Sequence, residues 1–355
     1  MEIPSAIQIG KVRGIPIRLH LTFLLVLPFF AYVMGQSYFA PEGGDPSAFG
    51  YLWGALLAVV LFTCVTLHEL SHSITAQRYG IRVRSIVLLP IGGVSQMEDM
   101  PREPRKELIV SAAGPLTNFV IAAPLLALGF LGLVPEVLPQ FQEFVRWAGL
   151  LNVFLGAFNL FLPAFPMDGG RILRSLLASR MSFLKATRYA SGVGRAIAFA
   201  MGLLGFFTLP GGIWLLLIAF FIYMGASEEE RVVEVMHTLG NLRVRDLMTA
   251  SPVILRPDDT LEQAFRVMVD TKHVGFPVVE SDGRVIGFLG LPDLGKIDRV
   301  HYAFTPVRLA MRVPPPTIDP ATLVTDALRQ MTNNQEEHLV VLDQGRLAGI
   351  LTKTD

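Results

Sequence analysis

The segment His68-Glu69-Leu70-Ser71-His72 has the residue types and spacing of a metal site. Residues four apart lie on one face of a helix, one turn apart, so both imidazoles can bind a single Zn²⁺. Glu69 lies beside them and can take a proton from a metal-bound water, which is the chemistry of metal-assisted hydrolysis. The alternative is that these side chains cap a helix at a membrane interface. Ionisable groups inside apolar spans usually mark function, which favours the metal site.

Two histidines leave a catalytic zinc one protein ligand short. Asp168 is the strongest candidate, because it is the only acidic residue in or bordering the apolar run 147–167. This run ends in two prolines and two glycines, which are tolerated at membrane depth only where protein or a cavity receives the freed backbone groups. The alternative for Asp168 is a turn or helix cap paired with Arg171 or Arg174.

Three further side chains could take part in the site. Asn159, polar within an apolar run, could donate to an oxyanion or hydrogen-bond between helices. Asn152 lies seven residues earlier on the same helical face, where packing between helices is favoured. Cys64 lies one turn before His68, and we expect a packed thiol there, with a third metal ligand as the less favoured alternative. As the single cysteine, it excludes a disulfide framework.

The elements that must position these residues are membrane spans. The chain is 52% hydrophobic and only 17% charged, whereas an ordinary soluble domain carries about 25% charged residues. A helix needs about 20 apolar residues to cross a bilayer. Pro210-Gly211-Gly212 interrupts the last charge-free stretch and predicts two helices joined by a tight turn. We therefore predict an α-helical polytopic membrane protein of about six transmembrane helices. The charge-free stretches are 19–41, 46–68, 108–135, 147–167 and 196–227.

The loops rich in basic residues all fall on one side of the predicted membrane, and the loops on the other side carry Arg146 as their only basic residue, so both termini are expected in the cytoplasm. On this topology the second and fourth spans both run inward, which brings His72 and Asp168 to a similar depth near the cytoplasmic face. The balance of 30 Lys+Arg against 30 Asp+Glu argues against a nucleic-acid partner. We expect an integral protein of a prokaryotic cell membrane whose surroundings are the lipid bilayer.

These motifs resemble those of the site-two protease family of intramembrane zinc metalloproteases. The matching pieces are His68–His72, Ala113–Asn118 and Pro166–Gly170. The resemblance implies a zinc ion held by His68, His72 and Asp168, with Glu69 as the catalytic general base. It also implies cleavage of a single-span membrane protein, in or near its transmembrane helix.

The chain departs from the family pattern at one place that concerns catalysis. Three residues, where the family usually has two, separate Asn159 from Pro163. The extra residue turns Asn159 by about 100° around the helix, which weakens the prediction that it is the catalytic oxyanion donor.

Residues 81–97 alternate in a way that predicts strands, with a turn or bulge at Gly92-Gly93. An edge strand near the zinc could pair with an unwound substrate, which peptide cleavage requires because helical amides are shielded. A surface hairpin is the alternative, and the family resemblance favours the substrate role.

Charge density roughly doubles at the acidic triplet Glu228–Glu230. Residues 1–227 carry 16 basic and 11 acidic side chains, whereas the much shorter segment 228–355 carries 14 and 19. We therefore expect a transmembrane metalloprotease domain followed by a linker and a soluble module of two repeats. The expected bounds are 1–227, 228–243, 244–300 and 301–355.

The two repeats share an amphipathic helix followed by two buried strands, and they look like a tandem pair of CBS domains. This resemblance implies an α/β module that takes an adenine nucleotide. Thr352 and Asp355 match the positions that contact ribose, whereas Asp293 matches only the acidic one, with Gly290 in place of the hydroxyl. A homodimerising or strain-transmitting module is the alternative. The second repeat stops where the first continues into a helix over 293–300, which indicates truncation at Asp355.

The sequence therefore favours an intramembrane zinc metalloendopeptidase regulated by a cytosolic CBS pair. A transporter or channel gated by the same pair is the alternative from another class, but it gives no reason for H-E-x-x-H together with a distant Asp-Gly. A membrane scaffold with a vestigial metal site is the third hypothesis.

Overall fold

The computed structural model describes residues 6–40, 48–89, 92–97, 103–131, 139–240 and 242–354. The chain divides into two compact units, one within residues 2–233 and the other within residues 234–355. The segment expected as a linker, 228–243, is helical as far as Leu239. Asp355, predicted to contact ribose, lies outside the described residues.

The first unit consists of long helices and a small sheet. Its elements are, in chain order, β1 (Ala6–Val12), β2 (Ile15–His20), α1 (Leu21–Phe39), α2 (Ala48–Arg78), β3 (Val83–Leu89), β4 (Gly92–Met97), α3 (Pro104–Phe130), α4 (Pro139–Phe161), α5 (Asp168–Ala178), α6 (Phe183–Phe207) and α7 (Ile213–Leu239).

Five helices in the described part of the chain are long and apolar enough to cross a membrane, namely α1, α2, α3, α4 and α6. The sixth predicted span corresponds to α7, whose apolar part runs only from Ile213 to Ser227 before the acidic triplet begins. Fifteen residues of helix span about 22 Å, less than the roughly 30 Å of a hydrocarbon core. The predicted break at Pro210 is confirmed, since α6 ends at Phe207 and α7 begins at Ile213.

Large apolar side chains point outward from these helices. Val120 on α3, Phe154 on α4 and Phe199 on α6 are 72%, 66% and 68% exposed. Water-soluble monomers rarely expose apolar patches of this extent, whereas a lipid environment favours them. The pattern supports a helical membrane protein.

The four strands form one sheet in the order β1-β2-β3-β4. Ile17 of β2 lies opposite Ile86 of β3 in a parallel pair, and β3 and β4 are antiparallel. Ile86 also packs with Ala76 of α2 and Val110 of α3, which holds the sheet against the end of one helix and the beginning of the other. Among the strands that the structure describes, β4 pairs with β3 alone and is thus an edge strand of this sheet. The predicted strands within 81–97 are confirmed, with 90–91 outside the described residues. The predicted turn or bulge at Gly92-Gly93 is wrong, because both glycines pair with β3 within β4.

The second unit contains both repeats. Its sheets have the orders β5-β10-β9-β8 and β6-β7. Phe288, Val340 and Ile350 pack together and join the first repeat to the second. The elements are α8 (Val244–Leu247), β5 (Thr249–Ala250), α9 (Leu261–Thr271), β6 (Gly275–Val279), β7 (Val285–Gly290), α10 (Leu291–Leu294), β8 (Thr317–Ile318), α11 (Val324–Asn334), β9 (His338–Asp343) and β10 (Arg346–Thr352), with 3₁₀ turns at Arg299–His301 and Val307–Leu309.

Candidate metal centre

Three predicted ligand side chains converge at one point in the first unit. α2 carries His68 and His72 on adjacent turns, and Asp168 is the first residue of α5. The Nε2 atoms of the two histidines are 3.1 Å apart. Asp168 Oδ2 lies 3.1 Å from the His68 Nε2 and 3.2 Å from the His72 Nε2. Among the described residues, these three form the group of histidine and acidic side chains close enough to hold a metal ion.

The donor set and its spacing fit a zinc ion. Ligand atoms about 2.0–2.1 Å from a tetrahedral zinc lie about 3.3 Å from one another, close to the distances observed. Gly114 of α3 faces this cluster, and a Cβ atom there would lie 2.2 Å from the His72 Nε2 and 2.6 Å from the His68 Nε2. The glycine therefore leaves space beside the two Nε2 atoms that any side chain would fill.

Both imidazoles are oriented through their other nitrogen. His68 Nδ1 lies 2.5 Å from the side-chain oxygen of Asn118, and His72 Nδ1 lies 2.6 Å from the carbonyl oxygen of Val110. Asn118 in turn donates to the side-chain oxygen of Asn152 at 3.0 Å. Oxygen partners of this kind fix the tautomer of a metal-binding histidine and leave Nε2 as the ligand. The network requires α2, α3 and α4 to pack together.

Glu69 lies next to the ligands and under the edge strand. Its Oε2 accepts a 2.6 Å hydrogen bond from the hydroxyl of Ser95, which belongs to β4. The backbone of β4 passes so close that a Cβ atom at Gly93 would lie 2.5 Å from the Glu69 Cγ. The carboxylate is therefore held between the predicted metal ligands and the strand.

The loop before α5 fixes the position of Asp168. A Cβ atom at Gly169 would lie 2.2 Å from the carbonyl oxygen of Leu162, and one at Gly170 would lie 2.5 Å from the amide nitrogen of Phe165. The two glycines let the first turn of α5 pack directly on this loop. This close approach explains why glycines follow Asp168.

A buried cluster of charged side chains holds α5 at its middle, about two turns after Asp168. Arg174 of α5 is 2% exposed and donates through Nε to the Oε1 of Glu107 of α3 at 2.9 Å. Its Nη1 donates to Oε1 of Glu229 of α7 at 2.5 Å. The guanidinium also stacks on Phe165 and Phe183, with its carbon 4.9 and 4.8 Å from the ring centroids. Arg174 therefore pairs with glutamates and not with Asp168.

The remaining predicted residues have other partners. Asn159 donates its amide to the Leu155 carbonyl of its own helix at 2.9 Å. Asn152 donates to the Cys64 sulfur at 3.3 Å, as well as accepting from Asn118, so the packing interpretation of both Asn152 and Cys64 is confirmed. The role of Asn159 as an oxyanion donor stays a prediction.

Sequence reasoning did not identify Ser95 as a partner of the site, and it considered Arg174 only as a partner of Asp168, not of Glu107 and Glu229. Ser95 lies on a predicted strand near the zinc motif, and that strand was the only signal for it. The acidic triplet, which contains Glu229, marked a change of charge density but gave no indication of a buried partner.

A second site lies within the C-terminal unit. A cavity of about 480 Å³ opens beside β5, β6 and the end of β10. Thr352, predicted to contact ribose, lines it together with Thr249, Ser251, His273 and Lys353. Hydroxyl and cationic groups of this kind suit a ligand with ribose and phosphate groups.

The comparisons with known proteins identify the families of both parts of the chain. The model of the family described as peptidase family M50 matches residues 56–138 and 133–201, and that of the CBS domain matches residues 244–296 and 307–355. Zinc metalloprotease MJ0392 of Methanocaldococcus jannaschii is 38% identical over 357 residues, which cover 99% of this chain and 94% of that protein. The chain belongs to peptidase family M50.

This M50 peptidase is therefore a zinc metalloprotease of the site-two type, integral to a membrane, with a C-terminal CBS pair. A solved structure of the site-2 protease from Methanocaldococcus jannaschii matches 63% of this chain and 95% of that chain, with 38% identity and a TM-score of 0.45. The crystal structure of CBSX2 in complex with AMP matches 32% of this chain and 92% of that chain, with 24% identity and a TM-score of 0.29.

Proposed function

We propose that this M50 peptidase hydrolyses a peptide bond in or near the transmembrane helix of a single-span membrane protein. His68, His72 and Asp168 would hold one zinc ion, and Glu69 would act as general base. The observation that carries this proposal is the convergence of three ligand atoms within 3.2 Å of one another on α2, a candidate membrane span, and α5.

When bound, zinc would supply a Lewis acid that polarises the scissile carbonyl and lowers the pKa of water. The protein's own groups carry the proton. The Glu69 carboxylate takes it from the attacking water and returns it to the leaving amide nitrogen, so the peptide bond is exchanged for a carboxylate and an amine. The hydrogen bond from Ser95 to the Glu69 Oε2 orients the carboxylate for this transfer.

Oxyanion stabilisation by Asn159 is a further part of the proposal. Preorganised donors directed at the developing oxyanion contribute substantially to acyl transfer. The Asn159 amide donates to the Leu155 carbonyl. It would have to leave this acceptor in order to reach a substrate oxygen.

The free edge of β4 is the proposed binding site for unwound substrate. A peptide added to β4 as a fifth strand would lie directly beside Glu69, because Ser95 of β4 donates a hydrogen bond to the Glu69 carboxylate. Strand addition supplies backbone hydrogen bonds that are independent of sequence, which suits a substrate whose helix must be opened before cleavage.

The soluble module is proposed to regulate the peptidase by binding an adenine nucleotide in the cavity lined by Thr352. The hydroxyl and cationic groups of this cavity support that ligand class. Both termini and the module would lie in the cytoplasm of a prokaryotic cell, because the basic loops favour this orientation. Pairing of two chains through the module stays a prediction.

The test is cleavage of a single-span substrate in proteoliposomes by wild-type protein and by Glu69→Gln. The variant should keep its zinc and lose at least about 100-fold in cleavage rate, because proton transfer by a positioned base contributes about 10²–10⁴-fold. Glu103→Gln is the matched control, since this carboxylate is 67% exposed and paired with Lys106. Cleavage by Glu69→Gln at the wild-type rate would contradict the assignment.

A further inference from the structure

The two repeats of the CBS pair form two related clefts, and the side chains at equivalent positions of the two clefts differ. We propose that the Arg312 side chain fills the second cleft, which lies around Asp293. The module would then take one adenine nucleotide per chain, in the first cleft, which is the cavity lined by Thr352. This inference rests on the proposed nucleotide binding. It concerns the residues around Asp293, which the sequence predicted to contact ribose.

Strand pairing defines which residues of the two repeats are equivalent. His338 lies opposite Thr352 in the second repeat, as Gly275 lies opposite Gly290 in the first. Thr352 and Gly290 are thus equivalent, and three residues further on so are Asp355 and Asp293.

The outer strand gives the same correspondence. Ile350 pairs with Thr249 at the first cleft, and Phe288 pairs with Arg312 at the second. Both Phe288 and Ile350 lie two residues before the ribose position, Gly290 or Thr352. Arg312 therefore stands where the first cleft has Thr249.

The helix ends complete the set. α9 and α11 both end in a left-handed residue, Lys272 in the first repeat and Gln335 in the second. The residues that follow are His273, which lines the first cleft, and Glu336. Hence the second cleft has an acidic side chain where the first has an imidazole.

The Arg312 side chain contacts the residues that distinguish the second cleft from the first. Its Nε lies 3.1 Å from Asp293 Oδ2, and its Nη1 lies 2.7 Å from Glu336 Oε2. Its guanidinium carbon is 5.2 Å from the centroid of the Phe288 ring. The Nη2 atom lies 3.6 Å from where a Cβ of Gly290 would be. The arginine thus covers the position where the first cleft carries the Thr352 hydroxyl.

Asp293 is already satisfied by its own chain. Its side chain is 4% exposed, its Oδ2 accepts from the Gly290 amide at 3.1 Å, and its Oδ1 pairs with Lys296 at 3.0 Å. A ribose hydroxyl would have to displace the charge-assisted hydrogen bond that the buried Asp293 carboxylate accepts from Arg312, whose own side chain is 37% exposed. The first cleft contains the small, exposed Thr249 and the exposed His273 instead.

The experiment is equilibrium dialysis of radiolabelled AMP against the detergent-purified full chain. Wild type should bind one AMP per chain, and Thr352→Val should lose it. The triple variant Gly290→Thr/Arg312→Thr/Glu336→His gives the second cleft the residues found at the equivalent positions of the first, including the hydroxyl that Thr352 supplies. It should bind one AMP more than wild type, and adding Thr352→Val to it should return the count to one.

A second measurement needs no variant. Hydrogen exchange of wild type with AMP should show protection at residues 249–253 and 352–354 and unchanged exchange at 290–294. Two AMP per wild-type chain, or protection at 290–294, would overturn the proposal. So would a folded triple variant that binds no more AMP than wild type, and in that case the nucleotide site itself would stand. Absence of binding in every protein would overturn both this proposal and nucleotide binding.

Discussion

At the scale of single residues, the proposed zinc centre depends on residues without a side chain as much as on the residues that bind the metal. Gly114 is the clearest case, because its missing side chain opens the space beside the His68 and His72 Nε2 atoms. The helix backbone of α3 can approach the imidazoles only at a glycine. Zinc affinity should therefore be sensitive to one methyl group at this position.

Gly114→Ala should abolish stoichiometric zinc binding, because the added Cβ would lie 2.2 Å from the His72 Nε2. The measurement is zinc per chain after dialysis of the purified protein. Gly192→Ala is the matched control, since Gly192 is also helical and a Cβ there would meet nothing within 4 Å. Equal zinc in both variants would show that the ligands do not meet beside Gly114.

The residues of the site differ in how far sequence could predict them. His68, Glu69 and His72 follow from helical periodicity alone, because their geometry is local. Asp168 is 100 residues from His68 in the chain. Only the topology of the spans and its Pro-Gly context place it at the same depth. The hydrogen bond between Asn118 and His68 depends on how α2 and α3 pack in detail, which no local sequence pattern predicts.

At the scale of elements, α5 must hold Asp168 against α2. Its position is determined by the glycine contacts at its first turn and by the buried Arg174 further along. A buried arginine that loses its partners leaves an uncompensated charge, which is strongly destabilising, whereas removal of the whole pair is often tolerated. The cluster can therefore be tested by comparing single and double replacements.

Arg174→Met should lower the free energy of unfolding by about 3–5 kcal/mol, because the Glu107 carboxylate is left buried and without its cation. Arg174→Met/Glu107→Gln should recover much of this loss. Denaturant titration in mixed micelles measures both. Lys106→Met removes an exposed pair with Glu103 and should cost no more than about 1 kcal/mol. Equal losses in Arg174→Met and Lys106→Met would refute the buried cluster.

The edge strand β4 leads to a prediction about the substrate. A photo-crosslinking residue in place of Val94, which is 45% exposed, should capture a single-span substrate added to the Glu69→Gln variant. The same residue in place of Ile9, 58% exposed on β1 at the opposite edge of the sheet, should not. Capture at Ile9 in preference to Val94 would place the substrate elsewhere.

The elements also show where sequence reasoning ends. The long apolar helices could be predicted because a bilayer imposes their length. The hairpin of β1 and β2 could not be predicted from the sequence. Its polar residues precede the first span, and β3, with which β2 pairs in parallel, lies more than sixty residues further along the chain. α7 was expected to span the membrane, but its charges begin after fifteen apolar residues.

At the scale of the whole molecule, a family M50 membrane unit and a CBS pair share one chain. A transporter gated by the CBS pair, the alternative that the sequence left open, is not favoured, because the membrane unit belongs to peptidase family M50. The metal content of the intact chain tests the proposed zinc ligands most directly, and its measurement requires no knowledge of the substrate.

The decisive measurement is zinc per chain in the detergent-purified protein, compared between wild type, His72→Ala, Asp168→Ala and Glu69→Gln. We predict about one zinc in wild type and in Glu69→Gln, and a sharp loss in His72→Ala and Asp168→Ala, because both of these remove a ligand. Wild-type protein without zinc even after zinc is added back, or full zinc in Asp168→Ala, would contradict the proposed centre.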